Sequence, residues 1–158
     1  NNVVIVETDD AVLVADKSKS QEIKTIVNQL KDEERSEYKS HNKIFRPWGN
    51  YTSIKEGNRW QVKLIEIKPG ATLSLQLHYH RAEHWIIVQG TAKVEIEDEV
   101  SYITENEGVH IPLASKHRVS NPGKLVLKLI EVQVGPYTLE DDIVRFSDIY
   151  GRTKNKND

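Results

Sequence analysis

The chain has 158 residues, with 22 Lys and Arg against 24 Asp and Glu and a formal net charge of −2. That balance gives no general electrostatic case for nucleic acid or an anionic membrane surface. The absence of cysteine excludes a disulfide framework and a thiolate metal site. No apolar run approaches the length of a bilayer span, and Asn1-Asn2-Val3-Val4 lacks the basic and apolar regions of a secretion signal. A soluble cytoplasmic protein is expected, large enough to bury a core in one full domain plus a small appendage.

The first forty residues predict a hairpin and a helix. Val3-Val4-Ile5-Val6 and Ala11-Val12-Leu13-Val14-Ala15 read as two strands around the polar turn Thr8-Asp9-Asp10. Ile23, Ile26, Val27 and Leu30 follow the i, i+3, i+4, i+7 spacing of an amphipathic helix, with Ser18 and Gln21 as a capping box. The polar run Lys31–Glu37 predicts a solvated helix end or linker. Such a piece cannot bury its own apolar face. No methionine and an opening asparagine mean either a trimmed initiator or a piece of a longer protein, and the second reading is favoured, with a neighbour against which this piece packs. The expected division is 1–41, 42–152 and a frayed tail at 153–158.

Beyond Arg46 short β-type runs alternate with turn signals. Strands are expected near 50–54, 59–67, 73–79, 84–89, 92–97, 99–104, 108–112, 117–120 and 124–133. Pro69-Gly70, Gly90, Glu97-Asp98, Asn121-Pro122-Gly123 and Gly135-Pro136 punctuate them. Many short strands at close spacing predict an all-β sandwich or barrel. Lys124–Val132 is apolar on both faces for much of its length and is expected in mid-sheet.

The chemistry concentrates in Gln76-Leu77-His78-Tyr79-His80-Arg81-Ala82-Glu83-His84-Trp85, which holds three of the six histidines. On an extended strand Gln76, His78 and His80 share one face. A return strand puts Glu83, Trp85 and Ile87 on one side and His84 on the other. A hairpin therefore brings Gln76, His78 and Glu83 together, with His80 at the turn, and His117 could close the set. Nitrogen and oxygen ligands with an open position describe a catalytic rather than a structural metal site. Zinc is favoured, with manganese, iron, cobalt and nickel also admitted.

Two motifs resemble the cupin superfamily. Gly70, Gln76, His78, Glu83 and Gly90 fit the spacing of its first motif, with Gln76 where a histidine is usual. Pro112 to Asn121 fits the second around His117, with Ala114 in place of a glycine. The resemblance implies a double-stranded antiparallel β-barrel, or jelly roll, behind the hairpin and helix. A fuller resemblance runs through Arg46-Pro47-Trp48-Gly49, Ser74–Trp85, Ile111-Pro112-Leu113, Leu129–Gln133 and Glu140–Phe146. It is to the C-terminal domain of bifunctional mannose-1-phosphate guanylyltransferase/mannose-6-phosphate isomerases. It implies a metal-dependent aldose–ketose isomerase acting on a sugar phosphate, in GDP-mannose and polysaccharide biosynthesis. It also implies a covalent upstream guanylyltransferase domain, to which Val3–Ala15 and its helix would belong, and a homodimer. The Gln-x-His pair resembles the zinc site of type I phosphomannose isomerases, which favours Gln76 over His80 as a ligand.

The expected metal set is thus Gln76, His78, Glu83 and His117. His80 or an inward carboxylate such as Glu131 is the expected general base. Arg81 is either a solvated turn residue or a fork for a phosphate or oxyanion. Arg145, Lys63 and Arg59 are weaker candidates for the same role, expected first as solvated strand charges, and Arg46–Gly49 is expected to pack across the barrel end rather than touch substrate. His41 and His110 are expected as surface histidines. Two other readings stand beside the isomerase. One is a non-catalytic dimerisation or sugar-nucleotide-binding module of the transferase. The other is a metal oxygenase, against which Gln76 argues, since an iron facial triad would want a second histidine there.

Overall fold

A computed structural model describes residues 2–7, 11–33 and 42–152. The chain divides into two units, Asn1–Ile44 and Phe45–Asp158. In the first, β1 (Val3–Glu7) pairs antiparallel with β2 (Val12–Asp16), so the expected hairpin forms, while its turn at 8–10 lies outside the described residues. The helix α1 runs Ile23–Asp32. Its approach differs from expectation. A 3₁₀ helix occupies Lys17–Glu22, and its cap is Asp16, which accepts from the backbone N–H and hydroxyl of Ser18 at 2.8 and 2.7 Å. Ser18 is thereby a donor to the cap rather than the cap itself. Val3, Ile5, Val12 and Val14 are all more than half exposed, as expected of a hairpin too small to enclose its own core. The later part of the run 31–37, His41 and the tail beyond 152 lie outside the described residues.

The second unit is built from two antiparallel sheets. In chain order its strands are β3 (Lys43–Arg46), β4 (Gly49–Gly57), β5 (Trp60–Ile67), β6 (Leu75–His78), β7 (Ala82–Gln89), β8 (Ala92–Ile96), β9 (Glu99–Ile103), β10 (Gly108–Ile111), β11 (His117–Ser120), β12 (Leu127–Val134) and β13 (Ile143–Ser147). One sheet has the order β10-β7-β12-β5-β4-β3 and the other β13-β6-β11-β8-β9. β12 does lie in mid-sheet, between β7 and β5. Two strands go beyond the expected set. β3 and β13 are both outermost in their sheets, where one-sided pairing weakens the alternation that marks a strand. The expected run 73–79 is shorter, with only an isolated bridge, Thr72 to Ser120, ahead of β6.

Alternation decides where the core ends and the polar interior begins. On β5 the inward row is Ile67, Ile65, Lys63; on β7 it is Ile87, Trp85, Glu83; on β12 it is Leu127, Leu129, Glu131, Gln133; on β11 it is Val119, His117. All of these are buried. The apolar members join Trp48, Ala92, Val94 and Ile111 in one core drawn from both sheets. Each fully buried large side chain stabilises by about 1.5–3 kcal/mol. The same rows then continue into lysine, glutamate, glutamine and histidine. The barrel is therefore dry at one end and polar at the other.

Candidate metal centre and cavity

β6 and β7 form the arm that carries the cluster. His78 ends β6, the backbone turns through Tyr79 and His80, and Glu83 enters on β7 with Trp85 and Ile87 beside it. Gly135 makes that turn possible: a Cβ there would sit 2.0 Å from His80 O and 2.7 Å from Arg81 Cα. His117 opens β11 and stands directly across from Gln76. On the other side of β6, Arg145 of β13 is also paired with Gln76. Gln76 is thus flanked in register by a histidine and an arginine.

The ligand atoms of His78, Glu83 and His117 all lie within 4.8 Å of one another, and all three residues are buried. Glu83 Oε1 is 3.2 Å from His78 Nε2, and its Oε2 is 3.8 Å from His117 Nε2. His117 Nδ1 lies 2.9 Å from Ser115 O. A carbonyl only accepts, so Nδ1 carries the proton and Nε2 keeps its lone pair, the form that binds metal. That Nε2 is buried and has no hydrogen-bond partner. Burial favours the neutral ring and pushes the His117 pKa down, against the opposing pull of the Glu83 charge. Burial pushes Glu83 up, but the His78 hydrogen bond and the charges of His78, His117 and Arg81 outweigh it and hold the carboxyl well below its usual range. An ionised carboxylate, an orphaned imidazole nitrogen and a second histidine fit a divalent ion. Gln76 Oε1 accepts from Ser74 Oγ at 2.9 Å and keeps a second lone pair for a cation.

Beside this group opens a cavity with an empty volume of about 470 Å³, its mouth included. Gln76, Arg81, Glu83 and Glu131 line it. So do Lys63, Arg46 and Arg145, which corrects their expected places as solvated charges and end packing. Lys63 is 4% exposed and bonds Glu140 at 3.3 Å, not solvent. Its inward parity with Ile65 and Ile67 is the signal for this in the sequence. Arg46 sits 3.7 Å from Glu140, while Trp48 packs in the core and also lines the cavity. Arg145 is half-buried and its Nε is buried without a partner. Burial and the nearby Arg152 push its pKa down. Arg59 is exposed, as expected.

Arg81 is 2% exposed, so it is no solvated turn residue. Its Nε donates to Glu83 Oε1 at 3.2 Å, and its Nη1 donates to Leu139 O at 2.9 Å and lies 3.6 Å from Asp142. His80 is largely exposed and bonds Asp142 Oδ1 through Nδ1 at 2.7 Å; the cavity lining does not include it. Glu131 is buried. Burial and the charge of Glu83 hold its pKa well above the usual carboxylate range. Asp142 and Gln133 join the site without having been expected there. Gln133 is legible as the inward neighbour of Glu131, whereas Asp142 enters from a 3₁₀ turn, Glu140–Asp142, that has no periodic signature.

Two antiparallel sheets around a buried His–Glu–His group define a cupin barrel with a centre able to hold a metal. Solved structures agree on the fold. An oxalate decarboxylase variant from Bacillus subtilis superposes with a TM-score of 0.61 at 17% identity, over 73% of this chain and 33% of that one. A double-stranded β-helix protein from Klebsiella pneumoniae superposes at 0.56 and 15% identity, over 68% and 81%. The chain belongs to the mannose-6-phosphate isomerase C-terminal family, whose model matches residues 33–148. Residues 1–30 match the MannoseP isomerase/GMP-like beta-helix domain. Among its relatives are the xanthan biosynthesis protein XanB of Xanthomonas campestris pv. campestris (62% identical over 96% of this chain) and the alginate biosynthesis protein AlgA of Pseudomonas fluorescens (55% over 97%). A mannose-1-phosphate guanylyltransferase of Escherichia coli is 52% identical over 96% of the chain. The chain spans 32% of the length of each of these three. Among the described residues no helix is long and apolar enough to cross a membrane.

Proposed function

We propose that the second unit is a metal-dependent aldose–ketose isomerase interconverting mannose 6-phosphate and fructose 6-phosphate. The observation that carries this reading is the His78–Glu83–His117 group set beside a cavity that also holds the buried carboxyl of Glu131. Gln76, His78, Glu83 and His117 would hold the ion, zinc favoured, and a divalent cation there supplies Lewis-acid polarisation of the substrate carbonyl.

Glu131 moves the proton. Its raised pKa makes the ionised form a stronger base than an ordinary carboxylate. It takes the hydrogen from C2 of the aldose as a proton and returns it to C1, while the hydroxyl proton passes in the same sense from O2 to O1. His80, outside the cavity lining, is the weaker candidate. Arg81 positions Glu83 through the Nε bond. Arg145, with its unpartnered Nε, and the neighbouring Lys63 and Arg46 would receive the phosphate, remote from the reacting carbons.

A homodimer in the cytoplasm, behind a covalent guanylyltransferase domain, completes the proposal. The 32% share of the relatives supports the last element. The division of work along the chain would be 1–41 as the end of that upstream domain and 42–152 as the isomerase. The relatives named for guanylyl transfer favour one other reading, a non-catalytic dimerisation or sugar-nucleotide-binding module. Metal analysis with an isomerase assay separates them. About one ion per chain, with chelator-sensitive turnover of mannose 6-phosphate restored by metal, supports the isomerase. No turnover by metal-replete protein with its upstream domain present supports the module.

A further inference from the structure

His84 of β7 and His110 of β10 lie on the opposite sheet face from Glu83. They are direct cross-strand partners, both exposed, with ring centroids 4.5 Å apart and planes 22° apart. Neither takes part in the cavity, and neither has a carboxylate as its direct register partner: His84 is flanked by Val132 on β12, and β10 is the outermost strand of its sheet. We infer that this pair is a second, outward-facing transition-metal site, a two-imidazole chelate for Cu²⁺ or Ni²⁺.

Directly paired residues share a sheet face, with Cβ atoms about 4.5–5.5 Å apart. That fixes both rings on one side before any ligand arrives, so little backbone ordering is needed on binding. The spacing selects the ion. A metal–nitrogen bond of about 2.0–2.1 Å plus about 1.1 Å to the ring centre puts each centroid roughly 3.2 Å from a shared ion. Two such rings at right angles about the metal stand roughly 4.5 Å apart, and at a tetrahedral angle roughly 5.2 Å. The observed separation matches the right-angled case, the geometry of tetragonal Cu²⁺ and Ni²⁺. The near-parallel rings have to rotate about χ2 to aim one nitrogen each at the ion, and that torsion is soft in histidine. Both rings are exposed, so the turn gives up only their mutual stacking. Water fills the remaining positions, which makes this a weaker site than the buried one.

The test is equilibrium dialysis of the untagged, metal-stripped chain against micromolar Cu²⁺ or Ni²⁺, with bound metal counted by elemental analysis. Wild type is compared with His84→Ala and His110→Ala, and far-UV circular dichroism checks that each variant is folded. Each single variant is expected to bind one equivalent fewer than wild type, because a chelate fails when either arm is lost. His78→Ala/His117→Ala is expected to keep the outer equivalent. Unchanged stoichiometry in either single variant overturns the inference, whatever the inner site binds.

Discussion

Glu83 and Glu131 are held by the same two donors. Trp85 Nε1 lies 3.1 Å from Glu83 Oε2 and 3.0 Å from Glu131 Oε2. Gln133 Nε2 lies 3.0 Å from Glu83 Oε1 and 2.9 Å from Glu131 Oε1. The balance differs between them: the His78 hydrogen bond and the charges of His78, His117 and Arg81 hold Glu83 down, while burial and the Glu83 charge push Glu131 up against the opposing charges of Lys63 and Arg81. Two carboxyls sharing the same donors thus divide into one that ionises readily and one that holds its proton.

Glu131→Gln removes the proposed proton carrier and keeps the side-chain shape. Turnover is expected to fall by about 10²–10⁴-fold with little change in KM. Metal content should stay at wild-type level. The new amide sets an N–H against Trp85 or Gln133, so Tm should fall as well. Steady-state kinetics on metal-analysed protein checks this, and near-wild-type kcat would return the role to His80.

Arg81→Lys keeps a charge but cannot serve Glu83, Leu139 and Asp142 together. The expected result is weaker metal retention during dialysis and a lower kcat, with KM for the sugar phosphate nearly unchanged. A raised KM with intact kcat would instead make Arg81 the phosphate clamp.

Arg145→Gln tests the proposed phosphate site. KM for mannose 6-phosphate should rise about tenfold or more, in line with the loss of a charge-assisted hydrogen bond. Inorganic phosphate should lose its competitive inhibition to the same degree. Equal KM values in variant and wild type would place the phosphate elsewhere.

Asp148 is lowered from the ordinary aspartate value of 3.8 chiefly by the hydrogen bond from Arg152, whose Nε and Nη2 reach it at 2.9 and 2.6 Å. A depressed folded-state pKa contributes stability that is complete above 3.8 and is lost as pH falls below it. Asp148→Asn should therefore be less stable than wild type at neutral pH. The gap should close in urea melts taken at successively lower pH through that range. A gap independent of pH would assign the effect to packing.

Ala114 has φ of +60°, and its N–H bonds His78 O at 2.9 Å. A left-handed alanine costs about 1–2 kcal/mol, while glycine loses about 0.4–1 kcal/mol more through unfolded-chain entropy. Ala114→Gly should therefore raise stability by up to about 1.5 kcal/mol, read as a higher Tm, without changing metal content. A lower Tm would show that the methyl group packs favourably.

Strand parity makes much of the site legible. Residue spacing alone puts Gln76, His78 and Glu83 together and sends His84 outward. The same rule applied to β5 finds Lys63, once a lysine in an apolar row is taken as a signal. Arg145 escapes it, because β13 is an outer strand entered from a short turn. So does the burial of Arg81, whose partners Leu139 and Asp142 lie about sixty residues further along the chain. Long-range closure of that kind leaves no trace in local periodicity.

The inward rows have a consequence for how this chain can change length. On β12 the core residue Leu129 and the site residue Glu131 belong to one alternating series. Insertion or loss of an odd number of residues between them would swing Glu131 and Gln133 to solvent and bring their outward neighbours Ile130 or Val132 inside. Turns such as Glu97-Asp98 carry no such parity and can lengthen freely. Indels among relatives should therefore collect in the turns, and within β5, β7 and β12 only even-numbered changes should survive.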